Sequence, residues 1–181
     1  MHYYEDGTNA PGLPEVISLP ASFTGRMARI SVETLKLAAR VRSSGARLVL
    51  VSGTRYSTFV KRLPYLPRAD AYVIENGGRI FYPRGAIATE GVDTPRGEGS
   101  STIDNPSSVP SVVGDPSLTA HPESALTEDL RWREKMEGVT GPASQDAKAP
   151  EDREGPLWEL YRKAVSEGFE VDTNTYYTML R

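Results

Sequence analysis

Large apolar residues are concentrated in two short runs in the first half of the chain. The first run, Leu48 to Val51, has no polar alternation, which is typical of a parallel strand covered on both faces. It ends at Ser52-Gly53-Thr54, and a helical pattern follows from Tyr56 to Leu63. The second run covers Ala71 to Ile74. This pattern predicts a strand–helix–strand unit whose two strands are parallel.

A polar cluster follows each of these two predicted strands. Ser52-Gly53-Thr54-Arg55 comes after the first strand, and Glu75-Asn76-Gly77-Gly78 comes after the second. In open α/β sheets, ligands bind beyond the carboxyl ends of the strands. If the two strands are neighbours, both clusters lie on one rim of the sheet, and this rim is the candidate binding site.

An amphipathic helix is predicted before this unit. Ser31 is suited to cap its N-terminus, and Leu35, Ala38 and Val41 repeat along one face. Gly45 follows the pattern at the place where a helix commonly ends. The periodicity predicts that this helix covers the sheet.

Composition divides the chain into four segments. Residues 1–29 are punctuated by Gly and Pro and predict an N-terminal loop, in which only Val16 to Leu19 is strand-like. Residues 30–83 hold the α/β core. Residues 84–122 are rich in Ser, Pro and Gly and are predicted to be a disordered linker, because they hold too little apolar surface to offset the entropy of ordering. Residues 123–181 predict a smaller α+β unit.

Two helices are predicted within this last segment. The first runs from Thr127, as the N-cap, to Glu137, and the second runs from Pro156 to Glu167. Trp132 and Trp158 lie at helical spacing among apolar residues, which favours a core position over a sugar-stacking platform. Residues 169–181 are rich in Thr, Tyr and Val and predict a strand or hairpin.

Charge and composition narrow the possible partners. A net charge of −3 over 181 residues provides no basic field for nucleic acid, and no apolar run approaches the roughly 20 residues of a membrane span. There is no cysteine, which excludes disulfides, thiol catalysis and cysteine metal sites. The N-terminus does not resemble a signal or transit peptide, so we expect a cytoplasmic protein.

Residues 30–83 resemble haloacid dehalogenase superfamily phosphatases, most of all the Cof-type and sucrose-phosphatase-like branch. The resemblance depends on the order of a helix, LVLVSGTR, a second helix and AYVIENGGRIFYP. In this family a strand ends in Thr-Gly-Arg or a similar segment whose hydroxyl group hydrogen-bonds the transferred phosphoryl group. The matching residues are Ser52, Gly53, Thr54 and Arg55.

The same resemblance assigns a second pair and an overall architecture. The family places an Asn-Gly pair near the substrate, and Asn76-Gly77 match it. The resemblance implies part of a Rossmann-like parallel sheet and part of an inserted α+β cap. It also implies Mg²⁺ as the family's cofactor and a small phosphorylated metabolite, such as a sugar phosphate, as the ligand.

The catalytic motifs of the family are incomplete in this sequence. The family nucleophile is the first Asp of Asp-x-Asp-Gly-Thr, and the closest segment here, Tyr4-Glu5-Asp6-Gly7-Thr8, has Tyr in that place. Asp6 would then match the acid–base Asp. An alternative, which we favour, is that the true motif lies upstream and that Asp6-Gly7 is a turn. The later Lys and the Gly-Asp motif that binds Mg²⁺ have no counterpart, so we expect this chain to bind Mg²⁺ poorly.

Two functions follow from these observations. The chain is either a fragment or degenerate form of a Mg²⁺-dependent phosphomonoester hydrolase, inactive by itself, or a non-catalytic or regulatory protein that binds a phosphorylated ligand. Loss of the nucleophile typically removes several powers of ten in rate. A nucleotide-binding module of another kind is disfavoured, because the sequence has no Gly-x-Gly-x-x-Gly or Walker loop.

Each candidate residue also has an ordinary structural role. Ser52-Gly53-Thr54 can simply make the turn between strand and helix and cap the helix. Arg55 lies one place later than in Thr-Gly-Arg and can be a solvated charge, and Asn76-Gly77 is a common turn pair. The sheet edge beside Leu48–Val51 is expected to be open and therefore prone to aggregation.

Overall fold

The computed structural model describes residues 15–22, 25–84, 118–119, 125–172 and 177–180. These residues form a mixed α/β structure with a four-stranded sheet and a separate two-stranded hairpin. The strands are β1 (Val16–Leu19), β2 (Ala28–Ser31), β3 (Val49–Val51), β4 (Ala71–Ile74), β5 (Arg79–Pro83) and β6 (Leu126–Glu128). The helices are α1 (Val32–Ser43), α2 (Tyr56–Arg62), α3 (Leu130–Thr140) and α4 (Pro156–Ser166).

The predicted strand–helix–strand unit is confirmed. β3 and β4 are parallel neighbours, with Val49 opposite Ala71 and Val51 opposite Val73, and α2 lies between them in the chain. β5 then pairs with β4 in the antiparallel direction, and β6 pairs with β5 in the same way. The sheet order is β3-β4-β5-β6, so the sheet is mixed and contains one parallel pair.

The helix before this unit also begins where the sequence predicts. The hydroxyl oxygen of Ser31 accepts a hydrogen bond from the Thr34 backbone N–H at 3.0 Å and caps α1. Gly45, just beyond the helix, has a φ of +87°, a conformation that favours glycine. Val41 remains exposed, however, and Leu35 is buried outside the main core cluster, so the predicted covering face of this helix is only partly correct.

A strand within the predicted N-terminal loop was missed. Val16–Leu19 is a strand, as its pattern suggests, but Ala28–Ser31 forms a second strand that pairs with it in antiparallel register. The sequence Ala-Arg-Ile-Ser is too short and too polar to predict a strand without knowledge of its partner. Asp6 and most of the predicted linker, 84–122, lie outside the described residues.

The second half differs from its prediction in three ways. α3 begins at Leu130, with Asp129 as its N-cap, because residues 126–128 instead form the strand β6. α3 continues through Gly138 to Thr140, beyond the predicted helix end at Glu137. Residues 169–172 and 177–180 contain no strand, so the predicted terminal strand is wrong within the part that the structure describes. α4 begins with Pro156, as predicted, and Trp158 is buried.

The main hydrophobic core lies on one face of the four-stranded sheet. α2 contributes Phe59, whose ring centroid lies 5.5 Å from that of Tyr72 on β4 and 5.8 Å from that of Phe81 on β5. The buried members of the core are Phe59, Leu63, Ala69, Tyr72, Ile74, Phe81 and Leu126. The hydroxyl group of Tyr72 is also satisfied, because it accepts a hydrogen bond from the Ala69 N–H at 3.1 Å.

β3 is an edge strand of the described sheet, and its second face is open. The side chains of Val49 and Val51 are 49% and 71% exposed, whereas Leu50 packs against the core. The prediction that both faces of this strand are covered is therefore wrong for the described residues. The apolar run does not predict how many faces of the strand are covered, because burial depends on which elements pack against the strand. The open edge agrees with the expectation made from the sequence.

Asp70 connects the beginning of β3 to α1. One carboxylate oxygen accepts a hydrogen bond from the Leu48 N–H at 2.8 Å, and the other lies 3.2 Å from Arg42 and 3.6 Å from Arg47. The Leu48 N–H is the main cause of the lowered pKa of Asp70, and the two arginine charges add to it while partial burial opposes it. Asp70 is therefore held in its ionised form in the folded chain.

No helix in the described segments is both long and apolar enough to cross a membrane. The longest of them, α1, has 12 residues and carries charged side chains along its length, whereas a helical span needs about 20 mainly apolar residues.

Val51→Lys should reduce self-association of the protein. A charged side chain on an exposed edge strand disfavours pairing with another chain, and Val51 is exposed, so the free energy of unfolding should change by no more than about 0.5 kcal/mol. Light scattering over a concentration series measures the effect. Val165→Lys, at an exposed position on α4, is the matched control and should have less effect. Equal self-association of the two variants would contradict the role of this edge.

Asp70→Asn should change how stability depends on acid pH. The pKa of Asp70 is lowered below its ordinary value of 3.8, so its contribution to stability is present above that pH and is lost as the pH falls through the folded-state pKa. The variant should be less stable at neutral pH and should lose less further stability on acidification. Urea unfolding between neutral pH and pH values below the ordinary pKa measures both effects, and parallel pH profiles would contradict the assignment.

Candidate functional site

The two polar clusters lie side by side at the carboxyl ends of β3 and β4. Backbone hydrogen bonds continue beyond the strands: the Ser52 N–H donates to Val73 O at 2.8 Å, and the Asn76 N–H donates to Ser52 O at 3.4 Å. The Glu75 N–H donates to Thr54 O at 3.1 Å. The expected common rim is therefore present, and the side chains of Ser52 and Asn76 are both exposed on it. We call these two turns, residues 52–54 and 75–78, the rim.

Gly53 lies directly beside the Asn76 side chain. A Cβ atom at position 53 would be 2.5 Å from the Asn76 Oδ1, which is closer than real Cβ contacts. A larger residue at this position would force the Asn76 side chain to move. The amide nitrogen of Asn76 also donates to the sulfur of Met179 at 3.5 Å. Glycine therefore brings the two turns into contact here.

The side chain of Ser52 has a local structural role. Its hydroxyl oxygen accepts a hydrogen bond from the Thr54 N–H at 3.1 Å and stabilises the turn after β3. Neither Ser52 nor Thr54 caps α2, because Arg55 is the N-cap residue and has no side-chain cap bond. The first N–H of the helix, at Tyr56, instead donates to the Glu75 carboxylate at 3.3 Å. The capping alternative for these residues is therefore wrong, and the turn alternative holds.

Arg55 is not a solvated charge. It is only 5% exposed, and its guanidinium forms an ion pair with Asp172 near the C-terminal end of the chain. The family resemblance predicts that Arg55 binds a phosphate group, but its guanidinium is already used in this ion pair. The interaction could not be foreseen, because 117 residues separate the partners and both side chains would ordinarily be exposed.

The second half of the chain contacts the rim through Trp132. Its indole N–H donates a hydrogen bond of 2.7 Å to the carbonyl oxygen of Gly77. Gly77 has a φ of +97°, so this turn needs the conformational freedom of glycine. Because the polar group of Trp132 is used in a contact within the protein, the hydrogen bond agrees with the predicted structural role of this residue rather than with a sugar-stacking role.

Glu75 is the rim residue whose importance the sequence did not reveal. A charged residue in a polar turn at the end of a strand is expected to be exposed, but Glu75 is only 1% exposed. One carboxylate oxygen accepts hydrogen bonds from the N–H of Tyr177 at 3.0 Å, and from the N–H and hydroxyl of Thr178 at 2.9 and 2.8 Å. The other accepts the bond from Tyr56. Glu75 therefore ties the C-terminal residues to the rim.

The backbone of this turn adopts an unusual conformation. Glu75 has a φ of +50° and Asn76 a φ of +55°, and the left-handed region is uncommon for residues other than glycine. Asn tolerates this region better than Glu does. The hydrogen bonds of the Glu75 carboxylate offset the conformational cost, because they hold the residue from both sides. Such backbone strain is concentrated at functional sites in proteins.

A group of buried arginines lies between the rim and the second half of the chain. Arg79 forms a two-point ion pair with Glu128, at 2.7 and 2.6 Å, and its guanidinium carbon lies 4.4 Å from the centre of the Tyr56 ring. Burial lowers the pKa of Arg79, but the hydrogen bond and charge of Glu128 and the charge of Glu75 outweigh burial and raise it overall. Arg79 therefore remains charged in the interior.

Asp146 is the carboxylate around which the other arginines are arranged. Arg133 donates to it at 2.5 Å, and burial raises its pKa although the charges of Arg133, Arg79 and Arg153 oppose that shift. Arg153 donates to the backbone oxygens of Asp146 and Lys148 at 2.8 and 3.0 Å. These contacts form the polar interior of the second half. The sequence shows charged residues in this region but not which of them are buried.

No cluster of metal-ligating side chains is found among the described residues. They contain no group of three or more His, Asp or Glu side chains placed to hold a metal ion, whereas Mg²⁺ is usually bound through carboxylates. The carboxylate of Glu75 is used by four hydrogen-bond donors, and Asp6 lies outside the described part of the chain. The chemistry that the described rim can supply is therefore hydrogen bonding to a ligand.

Glu75→Gln should weaken the attachment of the C-terminal residues. An amide nitrogen would face backbone N–H donors, and the free energy of unfolding should fall by about 2–3 kcal/mol. Hydrogen exchange at the amides of Tyr177 and Thr178 should accelerate more than exchange in α4. Glu134→Gln, on the exposed side of α3, is the matched control. Unchanged exchange at both amides would show that this carboxylate does not hold the segment.

Comparison with known proteins finds no relative of this chain. No protein-family model matches the chain, and neither a curated protein nor a solved structure is significantly similar to it. The family resemblance therefore depends on the motifs around Ser52 and Asn76, and the function has to be argued from the rim and its neighbours.

Proposed function

We propose that this chain carries the phosphate-orienting part of a haloacid dehalogenase-type phosphatase site and binds a small phosphorylated metabolite, such as a sugar phosphate, at the rim. One observation carries the proposal: Ser52-Gly53 and Asn76 lie next to each other at the carboxyl ends of two parallel strands. Ligands bind at this position in open α/β sheets. The same residues match the family motifs, and β3, β4 and α2 would be part of its Rossmann-like core.

The exposed rim groups suit a phosphate group chemically. The hydroxyl of Ser52 can donate to a phosphoryl oxygen while its oxygen still accepts from Thr54, because a hydroxyl is both donor and acceptor. The amide nitrogen of Asn76 is a second donor. Gly53 has no side chain, and this lets the Asn76 amide lie directly against the turn after β3, close to Ser52. These are neutral hydrogen-bond donors, so they support weak binding.

The proposal distinguishes binding from catalysis. Covalent phosphoryl transfer needs an ionised carboxylate nucleophile, and the segment that comes closest to the family motif, Tyr4-Glu5-Asp6-Gly7-Thr8, has Tyr in that place. The carboxylate in the described rim, that of Glu75, already accepts four hydrogen bonds. We therefore propose a fragment or degenerate form of a Mg²⁺-dependent phosphomonoester hydrolase that does not turn over its ligand by itself.

The alternative is a non-catalytic binding or regulatory protein. Two family-matched or adjacent side chains, Arg55 and Glu75, are held in structural contacts with the C-terminal part of the chain. These contacts favour the non-catalytic alternative, because the two side chains already have structural partners. Both alternatives require a phosphate ester to bind at the rim, and they differ in whether added sequence restores turnover.

Asn76→Asp should abolish binding of glucose 6-phosphate. The substitution keeps the shape of the side chain and tolerance of the left-handed conformation, but it replaces a donor by a negative charge that repels phosphate. Ser52→Ala should weaken binding by about tenfold, which corresponds to about 1.4 kcal/mol for one lost hydrogen bond. Isothermal calorimetry at millimolar ligand measures both effects, and a phosphate-release assay with Mg²⁺ should show no turnover.

Ser144 provides matched controls for both substitutions. Its side chain is exposed in the second half of the chain, away from the rim turns in sequence. Ser144→Asp and Ser144→Ala should leave binding unchanged. Absence of heat with the unaltered chain at millimolar ligand would count against the proposal, as would equal losses in the rim variants and their controls.

A further inference from the structure

A second surface of the molecule has the features of a binding site and shares no residue with the rim. A cleft of about 680 Å³ lies along the C-terminal half of α1. Its basic lining residues are Lys36, Arg40 and Arg42 from the helix and Arg68 from the segment before β4. Ala39 and Leu118 provide apolar surface. Its volume falls within the range of about 300–1,000 Å³ typical of sites for small molecules.

The cleft is strongly basic in a chain that is acidic overall. Four cationic side chains line it, although the net charge of the whole chain is −3. Asp70 is the carboxylate next to it, and this single group is shared between Arg42 and Arg47. Within the described segments, neither Lys36 nor Arg40 forms an ion pair. The positive charges of Lys36 and Arg40 are therefore not balanced by an ion pair within the described part of the chain.

The arrangement of these charges is unfavourable for the fold alone. Lys36 and Arg40 lie four residues apart on one side of α1, and like charges at this spacing destabilise a helix. The Nε atom of Arg42 is buried and has no hydrogen-bond acceptor among the described residues. An anion in the cleft would relieve the repulsion between Lys36 and Arg40, because it would be attracted to both cations.

A purely structural explanation accounts for only part of the charge. Arg40 and Arg42 lie in the last turn of α1, where cations interact favourably with the helix dipole. That interaction falls off within one turn and therefore does not explain Lys36. Arg68 adds a further cationic group to the cleft from another element.

We propose that this cleft binds a small organic anion that carries two or more negative charges. The guanidinium and ammonium groups would bind its charged groups, since arginine presents a planar set of donors that matches phosphate and carboxylate. The apolar residues and the methylene stems of the basic side chains would contact its uncharged part. Because the rim and the cleft have no common residue, each site can be present without the other.

The test uses the full chain and three probes: ADP, fructose 1,6-bisphosphate and citrate. Binding is followed by calorimetry and by NMR shifts of the backbone amides of residues 36–43. At least one probe should bind at millimolar or lower concentration and shift these amides, and binding should weaken with added salt. Adenosine, which has the uncharged body of ADP without its diphosphate, should bind far more weakly.

Charge reversal locates the site. The double substitution Lys36→Glu and Arg40→Glu should weaken binding of the probe by at least about tenfold. The matched control is Arg131→Glu with Lys135→Glu, because these exposed basic residues have the same four-residue spacing on α3. The control should bind the probe as the unaltered chain does. Circular dichroism should show that both variants keep their helices.

Three results would overturn the proposal. The first is that none of the three probes binds at millimolar concentration. The second is equal weakening in the α1 and α3 variants, which would indicate a non-specific effect of net charge. The third is that Asn76→Asp removes probe binding while the α1 variant retains it, which would place the bound anion at the rim.

Discussion

The buried carboxylate of Glu75 connects the parts of this molecule more directly than any other described group. It lies at the end of β4 and accepts hydrogen bonds from the first turn of α2 and from Tyr177 and Thr178. A buried carboxylate is costly unless donors surround it, and here four donors do so. These bonds link the left-handed rim turn directly to the C-terminal residues.

The second half of the chain depends on the same kind of constraint. Arg79, on the sheet, pairs with Glu128, and Arg133 pairs with Asp146, so that charged groups occupy positions usually filled by apolar side chains. Removing one partner of a buried pair leaves an uncompensated charge, which costs far more than the pair contributes. The rim is therefore held by polar contacts as well as by the hydrophobic core.

The two proposed binding surfaces differ in the way they would recognise a ligand. The rim offers the neutral donors of Ser52 and Asn76, whereas the cleft along α1 offers unbalanced positive charge around Lys36 and Arg40. Binding of a ligand by neutral donors depends on how the hydrogen-bonding groups are oriented, whereas binding in the charged cleft depends on ionic strength. A phosphorylated metabolite at one surface and a polyanion at the other would make α1, β3 and β4 the functional part of the described chain.

The sequence by itself determined three features: the parallel pair β3–β4, the cap of α1 at Ser31 and the start of α4 at Pro156. Each depends on residues close in sequence, through hydrophobic runs, capping hydrogen bonds or a fixed proline φ. Only the tertiary structure decided that Arg55 and Glu75 are buried and that Val51 is exposed. The burial of a side chain depends on partners that can be more than a hundred residues away, and no local pattern records them.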